Sequence, residues 1–132
     1  MSYFTADRHI RPELLDQEAR EKAKSFIGQK PTPKETLSSS QLRRFYNEFK
    51  QLKTRFDNDE GKDFAAILPL IKMQKSKSAY AANPRNPKIP KAFHSFIEKN
   101  VDNIQSSEDF EAFMLHFEAV VGFFYAQGVP NN

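Results

Sequence analysis

Lysine and arginine are the residue types whose number and spacing in this sequence could support binding chemistry, and they are concentrated in the middle of the chain. Residues 38–91 hold twelve Lys or Arg and five Asp or Glu, a net charge of +7, whereas residues 92–132 hold one and six, a net charge of −5. Residues 64–96 contain six cations and no acid. Protein surfaces normally interleave the two signs, so this run indicates a polyanion partner, with ordinary solvated helix faces as the alternative. A phosphate backbone is the natural polyanion, because each cation that neutralises a phosphate releases a counterion.

The cations of the second and third predicted helices lie on polar faces and continue into the loop that follows. In the stretch SSSQLRRFYNEFKQLKTRF, residues 38–56, the polar side carries five cations and one acid. Lys72 and Lys75 are three residues apart and share a helix face, while Lys77 points elsewhere. Nothing resembles a base-reading device, so we expect recognition of backbone and shape. Tyr80 lies near these cations and could stack a base, but we expect its ring to be in the core with the hydroxyl at the rim.

The histidines and the acidic turn do not form a recognisable metal site. His9 and His116 have no second ligand at metal spacing, and His94 has only Glu98 four residues later, so structural or surface roles are expected. The turn DNDEGKD is similar to a calcium loop, but an EF-hand needs Gly at position six and Glu at position twelve. With Gly61 at position six, position twelve is an isoleucine. We therefore expect no metal and no cofactor.

The sequence also lacks the patterns of common catalytic sites. It has no cysteine, which excludes disulfides, thiolate metal sites and a cysteine nucleophile. Its four glycines do not form a phosphate-binding or dinucleotide loop. The carboxylates fall on polar helix faces or in caps rather than in a predicted cleft, so we do not expect an enzyme. No stretch has the composition of a signal peptide or the length of a membrane span, and we expect a cytoplasmic protein without membrane contact.

The elements that position the cations are predicted by an apolar period of 3.6 residues along most of the chain. We expect one all-α domain over residues 1–132, a compact bundle of about five helices around a Phe-rich core of thirteen phenylalanines. Residues 1–11 are predicted to be a loosely ordered lead, and residues 29–37 a proline-containing linker. The predicted helices cover approximately residues 12–27, 38–56, 63–82, 90–104 and 107–128.

Two of these helices have well-defined starts and core faces. Ser38 followed by Gln41 reads as a capping box, and Asp63 is expected to cap the third helix. The second helix places its apolar stripe at Leu42, Phe45, Tyr46, Phe49, Leu52 and Phe56. The third, which contains Pro69, has its core candidates at Phe64, Ile67, Leu68, Ile71 and Ala79.

Three segments, LSSSQLRRFYNEF, ILPLIKMQKSKSAYAA and FEAFMLHFEAVVGFFY, together resemble a known family. The chain is similar, over about residues 37–126, to the small subunit of the type III-A CRISPR effector, the Csm complex of antiviral defense. The resemblance implies a small helical protein without a catalytic site of its own. Several copies would stack as a filament beside the subunits that hold the guide RNA. Their basic faces would line the channel occupied by target RNA paired to that guide.

The resemblance also implies a set of contacts and partners. The partners would be the crRNA and target RNA, other subunits of the Csm complex and further copies of this chain. An isolated homodimer would exchange helices across residues 29–37. The implied phosphate contacts, which carry no sequence specificity, are Arg43, Lys72, Lys75 and Lys77, followed by Arg44, Lys50, Lys53 and Arg85.

Two other classes of function remain open from the sequence. A helical DNA-binding regulator would need two helices joined by a turn of three or four residues, and DNDEGK is slightly long for that turn. A protein-only interaction bundle would bind no nucleic acid, and the salt dependence of RNA binding separates it from the effector subunit.

Overall fold

The computed structural model describes residues 2–128, and within them five α-helices and one short 3-10 helix account for the regular structure. The 3-10 helix covers Pro12–Leu15. The α-helices are α1 Gln17–Ser25, α2 Ser39–Asp57, α3 Phe64–Ala81, α4 Lys91–Asn103 and α5 Ser107–Ala126. Over the same residues, β pairing is limited to one antiparallel bridge between Phe4 and Ile10. The predicted all-α class is therefore confirmed.

Side-chain caps fix the starts of three helices. Ser38 Oγ accepts the Gln41 N–H at 3.2 Å, and Asp63 Oδ1 accepts the Ala65 N–H at 3.2 Å, as the sequence predicts. At α5 the cap is Ser106, one residue before the predicted start, and its hydroxyl accepts the Asp109 N–H at 3.1 Å. Each cap satisfies a backbone donor that has no partner inside the helix.

The first helix differs from its prediction. Instead of one helix over residues 12–27, the backbone turns at Asp16, where φ is −124° and ψ is −103°. The Asp16 N–H closes the 3-10 turn on Glu13 O, and its own carbonyl accepts the Arg20 N–H that begins α1. Asp16 therefore ends one helix and starts the next. This break leaves Leu14 buried and Leu15 exposed.

Phenylalanine rings form the core, as predicted. Phe26, Phe49, Phe93, Phe113 and Phe117 are all fully buried. Two of their ring pairs meet edge to face, with centroids 5.0 Å apart for Phe49 and Phe113 and 5.2 Å for Phe26 and Phe93. This is a geometry that aromatic quadrupoles favour. Around this core α5 packs against α1 and α2, while α3 packs against α4 and α2. The outer position of α3 leaves one of its sides exposed.

The predicted core face of α3 is right in the first half of the helix and wrong in the second. Ile67 and Ile71 are buried, and Phe64 and Leu68 pack against the core, as predicted. Ala79, however, is exposed, and the next buried positions are Gln74 and Ser78. Two polar residues thus occupy core positions in the second half of this helix, where hydropathy alone does not place the core face. The helix continues through Pro69, which is exposed, so the carbonyl that proline leaves unpaired lies where water can reach it.

The lead was expected to be loosely ordered, but in residues 2–11 the structure shows a packed turn. Tyr3 is buried, and its hydroxyl donates to Asn100 Oδ1 of α4 at 2.8 Å. The bridge between Phe4 and Ile10 closes the turn. Asn100 is buried, so it needs a hydrogen-bond partner that water cannot supply. Tyr3 supplies that partner and adds an aromatic ring to the core.

The linker over residues 29–37 contains no helix, as its prolines predict. Its last residue, Leu37, is fully buried, and the Leu37 N–H donates to Phe26 O at 2.8 Å. The linker is therefore anchored to the end of α1.

Within residues 2–128, no helix combines the length and apolar character needed to cross a bilayer.

Candidate nucleic-acid interface

A groove of about 400 Å³ lies between α2 and the C-terminal half of α3. It is lined by three cations, one acid and two aromatic side chains, of which Phe45 is buried and Tyr80 exposed, together with smaller residues. Its lining residues are Gln41, Arg44, Phe45, Glu48, Ser76, Lys77, Tyr80, Ala81 and Lys88.

The chain path explains why these residues meet. The turn after Asp57 folds α3 back along α2, so that Lys77 lies beside Glu48. The loop after α3 then folds back on the end of that helix, where the Lys88 N–H donates to Ala81 O at 2.7 Å. Three separate segments therefore deliver Arg44, Lys77 and Lys88 to one groove.

The cations of the groove are weakly neutralised. Lys77 Nζ lies 3.5 Å from Glu48 Oε1, and the Lys77 side chain is half exposed. Such a surface pair contributes little to stability. Arg44 and Lys88 are exposed and take part in no ion pair among residues 2–128. The groove thus carries three positive charges against one negative charge.

Tyr80 is 79% exposed, and its prediction as a core residue is wrong. It lies two residues beyond Ser78, the last buried position of α3, and so points away from the buried face. Its ring instead lines the groove beside Lys77. Sequence reasoning also left Lys88 out of the candidate contacts, although the acid-free run that contains Lys88 was a signal for it.

Lys72 and Lys75 lie on the other side of α3, against the last turn of α4. Lys72 Nζ donates to Val101 O at 3.1 Å, and Lys75 Nζ lies 2.6 Å from Asp102 Oδ1. The hydrogen bond that Lys75 donates to Asp102 raises the pKa of Lys75. Cations suit this position because the carbonyls at a helix C-terminus carry partial negative charge. The two lysines share a face and Lys77 points elsewhere, as the sequence predicts. The structure shows that Lys77 pairs with Glu48 of α2.

Lys53 is less accessible than its neighbours on α2. Its side chain is 17% exposed, and Nζ lies 2.7 Å from both Asp57 Oδ2 and Glu111 Oε2. Burial lowers the pKa of Lys53, but the hydrogen bonds to Asp57 and Glu111 outweigh it and the net pKa is raised. Lys53 thus joins α2 to α5, whereas the prediction placed it on an open polar face.

The remaining candidate cations are exposed outside the groove. Arg43 and Lys50 lie on α2, where the Lys50 ammonium is 5.9 Å from the centroid of the Tyr46 ring. Arg85 lies in the loop after α3, where its N–H donates to Asn83 Oδ1 at 3.0 Å. These three cations extend positive charge beyond the groove.

Comparison with protein families identifies the chain. The family model described as Csm2 Type III-A matches residues 10–128. The chain belongs to the Csm2 type III-A family. It is a small subunit of the type III-A CRISPR Csm complex, whose other components are further Csm subunits and crRNA. No match was found among curated proteins or among solved structures.

Membership of the Csm2 family favours the effector-subunit interpretation over a DNA-binding regulator. Csm2 is a structural small-subunit family.

Among residues 2–128, no three His, Cys, Asp or Glu side chains come together as a metal site. His9 is exposed, His94 Nδ1 lies 2.9 Å from Ser78 Oγ, and the His116 ring bonds Leu14 O. Burial lowers the pKa of His116.

A larger cleft of about 570 Å³ lies between α1 and α4. It is lined by three acids and two lysines as well as by His116 and Phe96. Its charges nearly cancel, so it lacks the positive field that a phosphate backbone requires. The groove between α2 and α3 is therefore the candidate interface.

Proposed function

We propose that this Csm2 chain contacts the phosphate backbone of RNA through the groove between α2 and α3, without catalysis and without reading base sequence. The observation that carries the proposal is the convergence of Arg44, Lys77 and Lys88 on one groove that holds a single acid. Contacts from Lys and Arg to phosphates position a nucleic acid but carry no sequence information.

The cations of the groove can readily replace their present partners with phosphate. The pair between Lys77 and Glu48 is long and exposed, so it is readily broken. A phosphate offers Arg44 a bidentate partner, and charge-assisted hydrogen bonds of this kind are the stronger ones. The entropy of released counterions adds to the binding.

The candidate cations then fall into a graded order. Arg43, Lys50 and Arg85 are exposed and extend the contact beyond the groove. Lys72 and Lys75 contact RNA only by exchanging their partners on α4. Lys53 contributes least, because two carboxylates already surround its ammonium.

The proposed partners include guide and target RNA and further copies of the chain, in the cytoplasm. The acidic face of α5 on one copy would meet the basic middle of the next, a head-to-tail contact of the kind that generates filaments. Asp109 accepts the N–H of Gln105, and Glu111 pairs with Lys53 on α2. Glu108 accepts from the hydroxyl of its neighbour Ser107, and both Glu108 and Glu118 are exposed. A Glu108→Lys/Glu118→Lys variant should therefore sediment as smaller species than the wild type. Unchanged sedimentation would contradict this contact.

Exchange of helices across residues 29–37 would give the isolated homodimer. This exchange would have to release Leu37 from the core.

Fluorescence anisotropy with a labelled RNA of about 40 nucleotides over a salt series tests the groove. The Arg44→Ala/Lys88→Ala variant should weaken binding equally for RNAs of different sequence. It should also flatten the salt slope by about 1.4, since each phosphate contact to a single strand contributes about 0.7.

The matched control is Lys22→Ala/Lys24→Ala, which removes the same charge from exposed positions on α1. Its salt slope should stay close to that of the wild type. Equal losses in the two variants would show that net charge alone matters, and the groove would no longer be the interface. Circular dichroism checks that each variant keeps its helices.

A further inference from the structure

We propose that Tyr80 makes the groove selective for unpaired nucleotides, by stacking on a base of a single RNA strand whose phosphates lie on Arg44, Lys77 and Lys88. This inference rests on the proposed function and adds the class of nucleic acid that the groove prefers.

Packing of the fold does not account for Tyr80. The buried seam of α3 runs through Ile67, Ile71, Gln74 and Ser78, and the ring of Tyr80 is 79% exposed. Its hydroxyl makes no hydrogen bond to residues 2–128. The ring of Tyr80 is therefore open to contact from a partner.

The position of Tyr80 suits a combined contact to base and backbone. Tyr80 and Lys77 are three residues apart on one helix face, and both line the groove with Arg44 and Lys88. Proteins that bind single strands use this combination, a positively charged groove for the backbone with aromatic rings on which bases stack. Stacking tolerates any sequence, because every base has a π-face.

Selectivity follows from the need for a free base face. In an A-form duplex each base is covered by its neighbours, so a protein reaches mainly phosphates and 2′-hydroxyls. The cations of the groove can therefore hold either form, but the ring of Tyr80 adds affinity only for a single strand. Removing the ring should lower single-strand affinity and leave duplex affinity almost unchanged.

The test compares Tyr80→Ala and Tyr80→Phe by anisotropy, with labelled single-stranded RNA and duplex RNA of the same length. Tyr80→Ala should weaken single-strand binding about tenfold and leave duplex binding within about twofold. Tyr80→Phe should bind like the wild type, because the ring is kept. The salt slope should not change, since no charge is removed. Tyr80 is exposed, so the fold should tolerate both variants.

A second readout and a control make the result specific to the ring. A 2-aminopurine in the single strand should lose fluorescence on binding the wild type but not Tyr80→Ala. Tyr125→Ala is the control, since Tyr125 is also an exposed tyrosine but lies on α5 outside the groove. Equal losses for single strand and duplex would overturn the inference, and so would a Tyr80→Phe variant as weak as Tyr80→Ala.

The two proposals fail in distinguishable ways. If Arg44→Ala/Lys88→Ala weakens binding and Tyr80→Ala does not, the groove binds RNA and stacking is wrong. If neither variant differs from the wild type, the groove itself is wrong. The assays use the full chain, alone and in the reconstituted Csm complex, and absence of RNA binding in both settings overturns both proposals.

Discussion

Lysines on the two sides of α3 lie in different surroundings, although they come from one short run of the sequence. On the α4 side, Lys75 Nζ is 2.6 Å from Asp102 Oδ1 and Lys72 bonds the Val101 carbonyl. On the α2 side, Lys77 pairs with Glu48 at 3.5 Å, and the exposed ring of Tyr80 lines the same groove. A run of cations is therefore not one uniform surface, because the acids and carbonyls of neighbouring helices decide which charges remain open to a partner.

The difference has a simple physical origin in the packing of the helices. At the C-terminal end of α4, α3 places the Lys72 ammonium beside the Val101 carbonyl and the Lys75 ammonium beside the Asp102 carboxylate. At the groove, α2 presents the residues of its first turns, where carbonyls are already used in helix hydrogen bonds. Cations on the α4 side thus hold α3 to α4, whereas Lys77 on the α2 side is half exposed and weakly paired.

Gln74 and Ser78 form a buried polar seam on α3, between its α4 side and its α2 side. A substitution in this seam gives the largest change in stability expected here. Gln74 is buried, and within residues 2–128 its Oε1 has no hydrogen-bond partner. Gln74→Met keeps the volume and removes the unsatisfied oxygen, so it should stabilise the fold by about 1 kcal/mol. The measurement is the midpoint of urea unfolding.

The neighbouring position is a matched control for this change. Ser78 is also buried, but its hydroxyl donates to Lys75 O at 3.1 Å and lies 2.9 Å from His94 Nδ1. Ser78→Ala should therefore destabilise the fold. If Gln74→Met also lowers the midpoint, Gln74 is satisfied in solution and the seam is tighter than the structure indicates.

This seam also explains which features of the fold are readable from the sequence. The start and core face of α2 follow from a local signal, since Ser38 caps the helix and Leu42, Phe45 and Phe49 repeat at helical spacing. In α3 the same reading places Ile67 and Ile71 correctly but fails in the second half of the helix. There Gln74 and Ser78 take core positions and Tyr80 does not. Burial on α3 is decided by α4, which no local pattern of α3 describes.

Tertiary pairing limits prediction of the candidate interface in the same way. The sequence identifies the basic segment, and the structure places Arg44 and Lys77 from it in one groove. The sequence cannot show that Lys53 forms an ion pair with Glu111, which lies 58 residues further along the chain. It also cannot show that the hydroxyl of Tyr3 bonds Asn100 and orders the lead. Both contacts join residues far apart in sequence, so neither leaves a periodic signal.

The smallest expected effect tests whether Lys75, on the α4 side of α3, would bind RNA if Asp102 of α4 did not pair with it. Asp102→Asn keeps the side-chain shape and releases Lys75, whose side chain is 35% exposed. RNA affinity should rise about twofold, and the salt slope should steepen by up to about 0.7, the value for one new phosphate contact. Glu21→Gln on α1 changes the net charge equally at an exposed site, so it reports the effect of charge alone. If the two variants give the same slope, Lys75 serves only α4, and the α4 side of α3 is not a binding surface for RNA.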